Sequence, residues 1–420
     1  MVFLMYQTTR DSQRETIEDY YTIIENQDGT AGGSVRITQR DIERISLCRK
    51  KTLTDLQGAE TCLRYFYRDY TFENGTENAF IHLGKVLTRY HDLFPPCHYA
   101  VHGIGEASFY LHGQDVSRAF SIPDTEHLFK NMASCGNGYY HGFMWEMAKD
   151  EDDKDALVRM FRPICGDGVN KKWGVCLHGI GHVALAQMSY RVMDMIYICD
   201  GVSSSTESRF SCYTGGFMEY AETFPNSIKM DGGAPHFVLC DSLDPAYQAA
   251  CYLEHSDLFE ALYKKNKNYT EHIGSCKKIN NELNRMACVK LFAIRATRID
   301  HHSDIYGMCR NTLSLEERVM CTAVAAKRIS ISIDETLRGK ISRDAIDDVC
   351  GTLGSVYGKY CSDIVRKYPK NLFFTSEWDL LILREFKRDS LEKWIHGRFY
   401  LPLKTLPLQP KLNTLIFSAP

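Results

Sequence analysis

The chain has 420 residues, of which 44% are hydrophobic and 25% charged, and its net charge is −3. It is long and apolar enough to bury a sizeable core, and the near-neutral balance argues against a nucleic-acid partner. No stretch approaches the roughly 18 consecutive apolar residues of a membrane helix, so no membrane span is expected.

Residues 1–45 are polar, lack cysteine and contain Gly29-Thr30-Ala31-Gly32-Gly33, which predicts a segment apart from the main core. Met1-Val2-Phe3-Leu4-Met5-Tyr6 is a short apolar run with no basic start and no small-residue cleavage site, so it does not read as a signal peptide. Residues 46–222 read as a helical domain and 223–365 as plainer helical hairpins. Residues 366–420 read as a C-terminal helix with an irregular, proline-punctuated tail. The acidic run at 149–155 lacks the alternating ligands and central glycine of a calcium loop and is read as a solvated linker.

Sixteen cysteines fall into eight successive couples. Cys48/Cys62 and Cys97/Cys135 come first. Cys165/Cys176, Cys199/Cys212, Cys240/Cys251, Cys276/Cys288, Cys309/Cys321 and Cys350/Cys361 follow, with gaps of 11, 13, 11, 12, 12 and 11 residues. An even, fully paired set predicts disulfides and an oxidising compartment: the secreted, periplasmic or ER-lumenal space. Zinc couples sit closer together, about two to four residues apart. On one continuous helix, residues 11 apart would be separated by about 16 Å, whereas a disulfide tolerates only about 4.4–6.8 Å. Bonding within a couple therefore requires the chain to turn back, and bonding between neighbouring couples (Cys176 with Cys199, for example) is the alternative. Turn and cap residues lie between the cysteines: Gly166-Asp167-Gly168, Ser203-Ser204-Ser205, Ser242-Leu243-Asp244-Pro245 and Asn311-Thr312-Leu313-Ser314. From Cys165 onward the first cysteine recurs after 34, 41, 36, 33 and 41 residues, a spacing typical of stacked helical hairpins. The fold expected is all-α: stacked helical hairpins, solenoid or toroid-like, stapled by disulfides. Asn74-Gly75-Thr76 and Asn268-Tyr269-Thr270 are glycosylation triplets that suit a secretory glycoprotein.

A second pattern overlies the first. Related phrases occur at 97–106, 135–146 and 176–182, with a degenerate copy from Cys212 to Glu219. Each contains glycine beside histidine or threonine. Repeated phrases in adjacent hairpins should line one surface. His98, His102 and Glu106 are spaced four apart along one helix face, as are His178 and His182. Two imidazoles at that spacing, completed by a group from another helix, suit zinc or iron, and a helical scaffold can also hold two metals. His141, Glu146 and Glu219 are the candidate third ligands. Glu106, His141, Glu146 and Glu219 are the candidate acid–base groups.

His-Gly at a helix junction can also be purely structural, and a metal-free polar pocket is a further alternative. The first functional expectation is an exported metal-dependent enzyme acting on a small-molecule or glycan substrate, by hydrolytic or oxidative chemistry. The second is a non-catalytic repeat scaffold that binds a protein or glycan on a concave face. No Cys-x-x-Cys motif and no unpaired cysteine point to thiol chemistry.

Overall fold

The structure is a computed structural model. It describes residues 35–367 apart from 52–54, 94–95, 114, 123–134, 136–137, 167–172, 225–228, 232–233, 237, 255–272, 275, 297–307 and 338–341. Most of the polar N-terminal segment, Asn268 and the C-terminal helix and tail lie outside the described residues.

The described elements are helical. In chain order they are α1 (Gln39–Lys51), α2 (Leu56–Asn74), α3 (Thr76–Arg89), a single 3₁₀ turn (His91–Leu93), α4 (Cys97–His112), α5 (Val116–Ser121), α6 (Gly138–Ala148), α7 (Lys154–Cys165) and α8 (Trp173–Gln187). After these come α9 (Val192–Val202), α10 (Thr206–Thr223), a short antiparallel pair β1 (Lys229–Asp231) and β2 (Ala234–His236), α11 (Val238–Ser242) and α12 (Pro245–Glu254). The last are α13 (Glu282–Ala296), α14 (Leu315–Leu337), α15 (Ser342–Gly351) and α16 (Ser355–Lys367). The fold is all-α, with helices packed on one another, and the β pair is its one minor departure among the described residues. No described helix is long and apolar enough to cross a membrane.

All eight disulfides join partners within a couple, with Cα separations of 5.3–5.8 Å. Cys199 on α9 is bonded to Cys212 on α10, and Cys350 on α15 to Cys361 on α16. The staples fit an oxidising compartment. Residues in the intervening turns cap the helix that follows. Ser205 accepts from the Ser208 amide at the start of α10, and Asp244 accepts from the Ala246 amide at the start of α12. Ser314 and Glu317 form a reciprocal capping box at α14: the Ser314 hydroxyl accepts from the Glu317 amide, and the Glu317 carboxylate accepts from the Ser314 amide. In the acidic run, Asp153 caps α7 by accepting from the amides of Asp155 and Ala156.

Helices α2, α4, α6, α8 and α10 pack each against the next, forming the row that carries the repeated phrases. Glycine makes two of these contacts possible. A Cβ at Gly142 on α6 would overlap the His102 backbone of α4, and one at Gly215 on α10 would overlap the His178 backbone of α8. With glycine there, the helices approach backbone to backbone and the neighbouring histidines are drawn into reach of one another.

Candidate metal centre

Five histidines from three helices meet in this row. Ring centroids of His98 and His102 on α4 are 4.8 Å apart, and those of His178 and His182 on α8 are 5.0 Å apart. His141 on α6 lies between the pairs, 5.3 Å from His98 and from His102, 5.5 Å from His178 and 4.7 Å from His182. Two groups of three, His98/His102/His141 and His141/His178/His182, each bring one ligand atom per residue within 4.8 Å of one another, and each can hold a metal ion. His141 is common to both.

The partners of each ring fix where its lone pair points. His178 Nδ1 lies 3.1 Å from the Thr214 hydroxyl, which gives its own proton to the Ser211 carbonyl at 2.8 Å. Thr214 must therefore accept, and His178 carries its proton on Nδ1. His182 Nδ1 donates to the Glu219 carboxylate at 3.0 Å. His178 Nε2 is then bare, and it faces His182 Nε2 at 3.3 Å. On α4, His98 Nδ1 donates to the Cys135 carbonyl at 3.0 Å, an acceptor anchored beside it by the Cys97–Cys135 disulfide. His98 Nε2 faces His102 Nε2 at 3.1 Å. Both ring nitrogens of His141 are buried without a hydrogen-bond partner.

Electrostatics favour neutral rings at His98, His102, His141 and His178. Burial, followed by the neighbouring imidazoles, pushes His141 and His178 well below the usual histidine range. Burial also brings His98 down to about 4, and His102 falls well below its ordinary value through burial, His98 and Arg64. For Glu219, burial acts upward, but the hydrogen bond and charge of His182 outweigh it and hold the carboxyl below its usual value. Tyr190 also donates to Glu219, at 3.4 Å, from a turn in which Ser189 and Tyr190 both have positive φ, 52° and 61°. Two consecutive non-glycine residues in the left-handed region are strained.

The other carboxylates named from the sequence lie elsewhere. Glu106 is only 1% exposed and is ion-paired with Arg64 of α2; burial raises its carboxyl and Arg64 opposes that rise. Glu146 accepts from the Tyr110 hydroxyl at 2.6 Å and pairs with Lys149 at 2.9 Å. Among the described contacts neither one bonds to a histidine of the cluster.

Sequence reasoning missed Thr214, Tyr190, the Cys135 carbonyl, Glu60 and Glu222. Tyr99 stacks on His102, with centroids 5.5 Å apart, and lies in the field of Glu222, Glu60 and Glu219. Burial, with the Glu222 charge, pushes the Glu60 carboxyl up to about 7. Thr214 and Cys135 had a signal in the sequence, their places in the repeated phrases.

A cluster of buried, converging imidazoles on an all-α, disulfide-rich scaffold defines a candidate metalloprotein. Compared with known protein families, curated proteins and solved structures, the chain has no significant match.

Proposed function

We propose that the chain is an exported metal-dependent enzyme whose ion is held by His141, His178 and His182. One observation carries the reading. His178, with its proton on Nδ1, presents a bare Nε2 to that of His182 at 3.3 Å, and a cation held between the two rings satisfies both nitrogens. Their separation also suits two ligands on one ion, because tetrahedral ligands at about 2.0–2.1 Å from a metal are roughly 3.3 Å apart. A proton on His178 is a poor substitute, since burial holds its pKa well below the usual histidine range.

Three imidazoles with an open fourth position favour zinc over iron, whose mononuclear oxygenase sites use two histidines and a carboxylate. When bound, such an ion supplies an activated water or a polarised carbonyl. The chain's own residues do the rest. Thr214 and Glu219 lock the ligand rings in their tautomers, as carbonyl and carboxylate partners do around zinc. Glu60, whose carboxyl exchanges protons near neutral pH, is the proposed acid–base group beside Tyr99. The carboxylates of Glu60, Glu219 and Glu222 disfavour phosphorylated substrates and suit a neutral small molecule or glycan.

Protein purified without chelator or affinity-tag metal is expected to contain stoichiometric zinc, lost in His178→Ala and His182→Ala while the far-ultraviolet circular dichroism persists. Metal-free protein whose thermal midpoint does not respond to added zinc would overturn the reading. It would favour the second one, a scaffold for a protein or glycan. That alternative draws support from α11–α16, where the described residues form no comparable metal-ligating group.

A further inference from the structure

We propose that the cluster takes two metal ions at once, bridged by the two ring nitrogens of His141, with one ion on His98 and His102 and the other on His178 and His182. The proposal rests on the metal-centre reading above and extends it to a second ion.

Three observations converge. First, His141 belongs to both three-histidine groups, and α6, which carries it, packs against α4 on one side and α8 on the other. Second, His141 is only 4% exposed and neither of its ring nitrogens has a partner. A single ion would satisfy one nitrogen and leave the other buried and unpaired, at a cost of about 1–3 kcal/mol in general. Third, the α4 pair resembles the α8 pair in its geometry: the Nε2 atoms are 3.1 Å apart in one and 3.3 Å apart in the other, and in each pair at least one Nδ1 proton is committed to an oxygen outside the cluster.

The chemistry balances without any redox change. As the second nitrogen–metal bond forms, the one ring proton of His141 leaves to solvent and the ring becomes an imidazolate. That anion lies between the two cations and offsets their repulsion, which would otherwise be large in a poorly solvated site. Metal–nitrogen bonds of about 2.0–2.1 Å on both sides of one imidazole put the ions about 6 Å apart. That is wider than the roughly 3.5–4 Å of two-metal sites that share one oxygen. The two ions are therefore not bridged by a single water oxygen. One of them can hold a substrate group while the other acts on its neighbour.

The test uses the full chain, stripped with chelator and reloaded with copper(II). Copper is chosen as the probe because imidazole sites take it readily and its electron paramagnetic resonance reports a bridge. No free cysteine competes for it, since every cysteine is in a disulfide. Two coppers per chain are expected by elemental analysis, with a signal per copper that collapses as the second ion loads, through exchange across the His141 ring. His141→Gln should restore the signal. One copper per chain would overturn the second ion and leave the single-ion reading intact. Two coppers with full, uncoupled signals would overturn the bridge, and no copper would overturn both readings. The paired substitution His98→Gln/His102→Gln should leave one copper with a full signal, and retention of two would also overturn the proposal. Should these variants fail to fold, the count and the signal of the unsubstituted protein still decide.

Discussion

Thr214 stands against His178 as His141 stands against His102. In each case the next residue is the glycine that lies on the histidine's backbone: Gly215 on His178 and Gly142 on His102. One phrase thus gives two outcomes. At the first junction an imidazole meets an imidazole, whereas at the second a hydroxyl accepts the Nδ1 proton of His178 at 3.1 Å. Thr214→Val keeps the shape and removes that acceptor. Metal affinity is expected to fall by about 10–100-fold, the usual effect of losing a group that orients a ligand. Competition with a zinc indicator measures it, and unchanged affinity would remove Thr214 from the site.

Glu219 offers a parallel case with a charge. Glu219→Gln keeps an acceptor for His182 but discards the carboxylate charge beside the ion, so a loss of affinity nearer 10-fold than 100-fold is expected, with the fold preserved. A circular dichroism melt beside the zinc titration separates this effect from unfolding.

The glycine contacts set the helix spacing. Gly142→Ala and Gly215→Ala each place a methyl group against backbone rather than against a movable side chain. Each is expected to destabilise the protein by about 1–3 kcal/mol and to weaken metal binding together with stability. Urea denaturation gives the first quantity; a wild-type midpoint would show that α4 and α6, or α8 and α10, can part without cost.

Proton linkage predicts that stability and activity both rise with pH, over different ranges. In the metal-stripped protein, His98 titrates near 4 when folded, below its ordinary value of 6.5. The unfolded chain then binds more protons between those values, so stability should fall as pH drops from about 6.5 toward about 4 and level off below it. Catalysis should gain a separate limb near pH 7, also rising with pH as Glu60 ionises, because its folded carboxyl lies at about 7. Glu60→Gln should abolish that limb. A profile that keeps it would place the titrating group elsewhere.

Arg64 and Glu106 show how far the sequence could be read. The phrase carrying His102 and Glu106 was legible because its spacing puts both on one helix face; the recurrence of His-Gly gathered His102, His141 and His178 as candidates, and the four-residue spacing added His98 and His182. What decides the fate of Glu106 lies on α2, in Arg64, 42 residues earlier, and no local pattern signals that pairing. Glu146 is likewise drawn to Lys149 and Tyr110. The within-couple disulfides were legible as geometry plus turn chemistry, with the neighbour pairing still open. The approach of Glu60 to Glu222 was not, because it depends on how α2 and α10 come together through the helices between them. Arg64→Met should destabilise the protein by about 3 kcal/mol by stranding a buried carboxylate, and Glu106→Gln should recover much of that loss. A double-mutant cycle measures the coupling.

The disulfide ladder bears on how the chain is made. Every bridge closes before the next couple begins, the widest spanning 38 residues and the rest 11 to 14. No loop encloses another. Oxidation can therefore proceed vectorially as the polypeptide emerges, each bridge forming before the following pair of thiols arrives, with little call for an isomerase to correct mispairing.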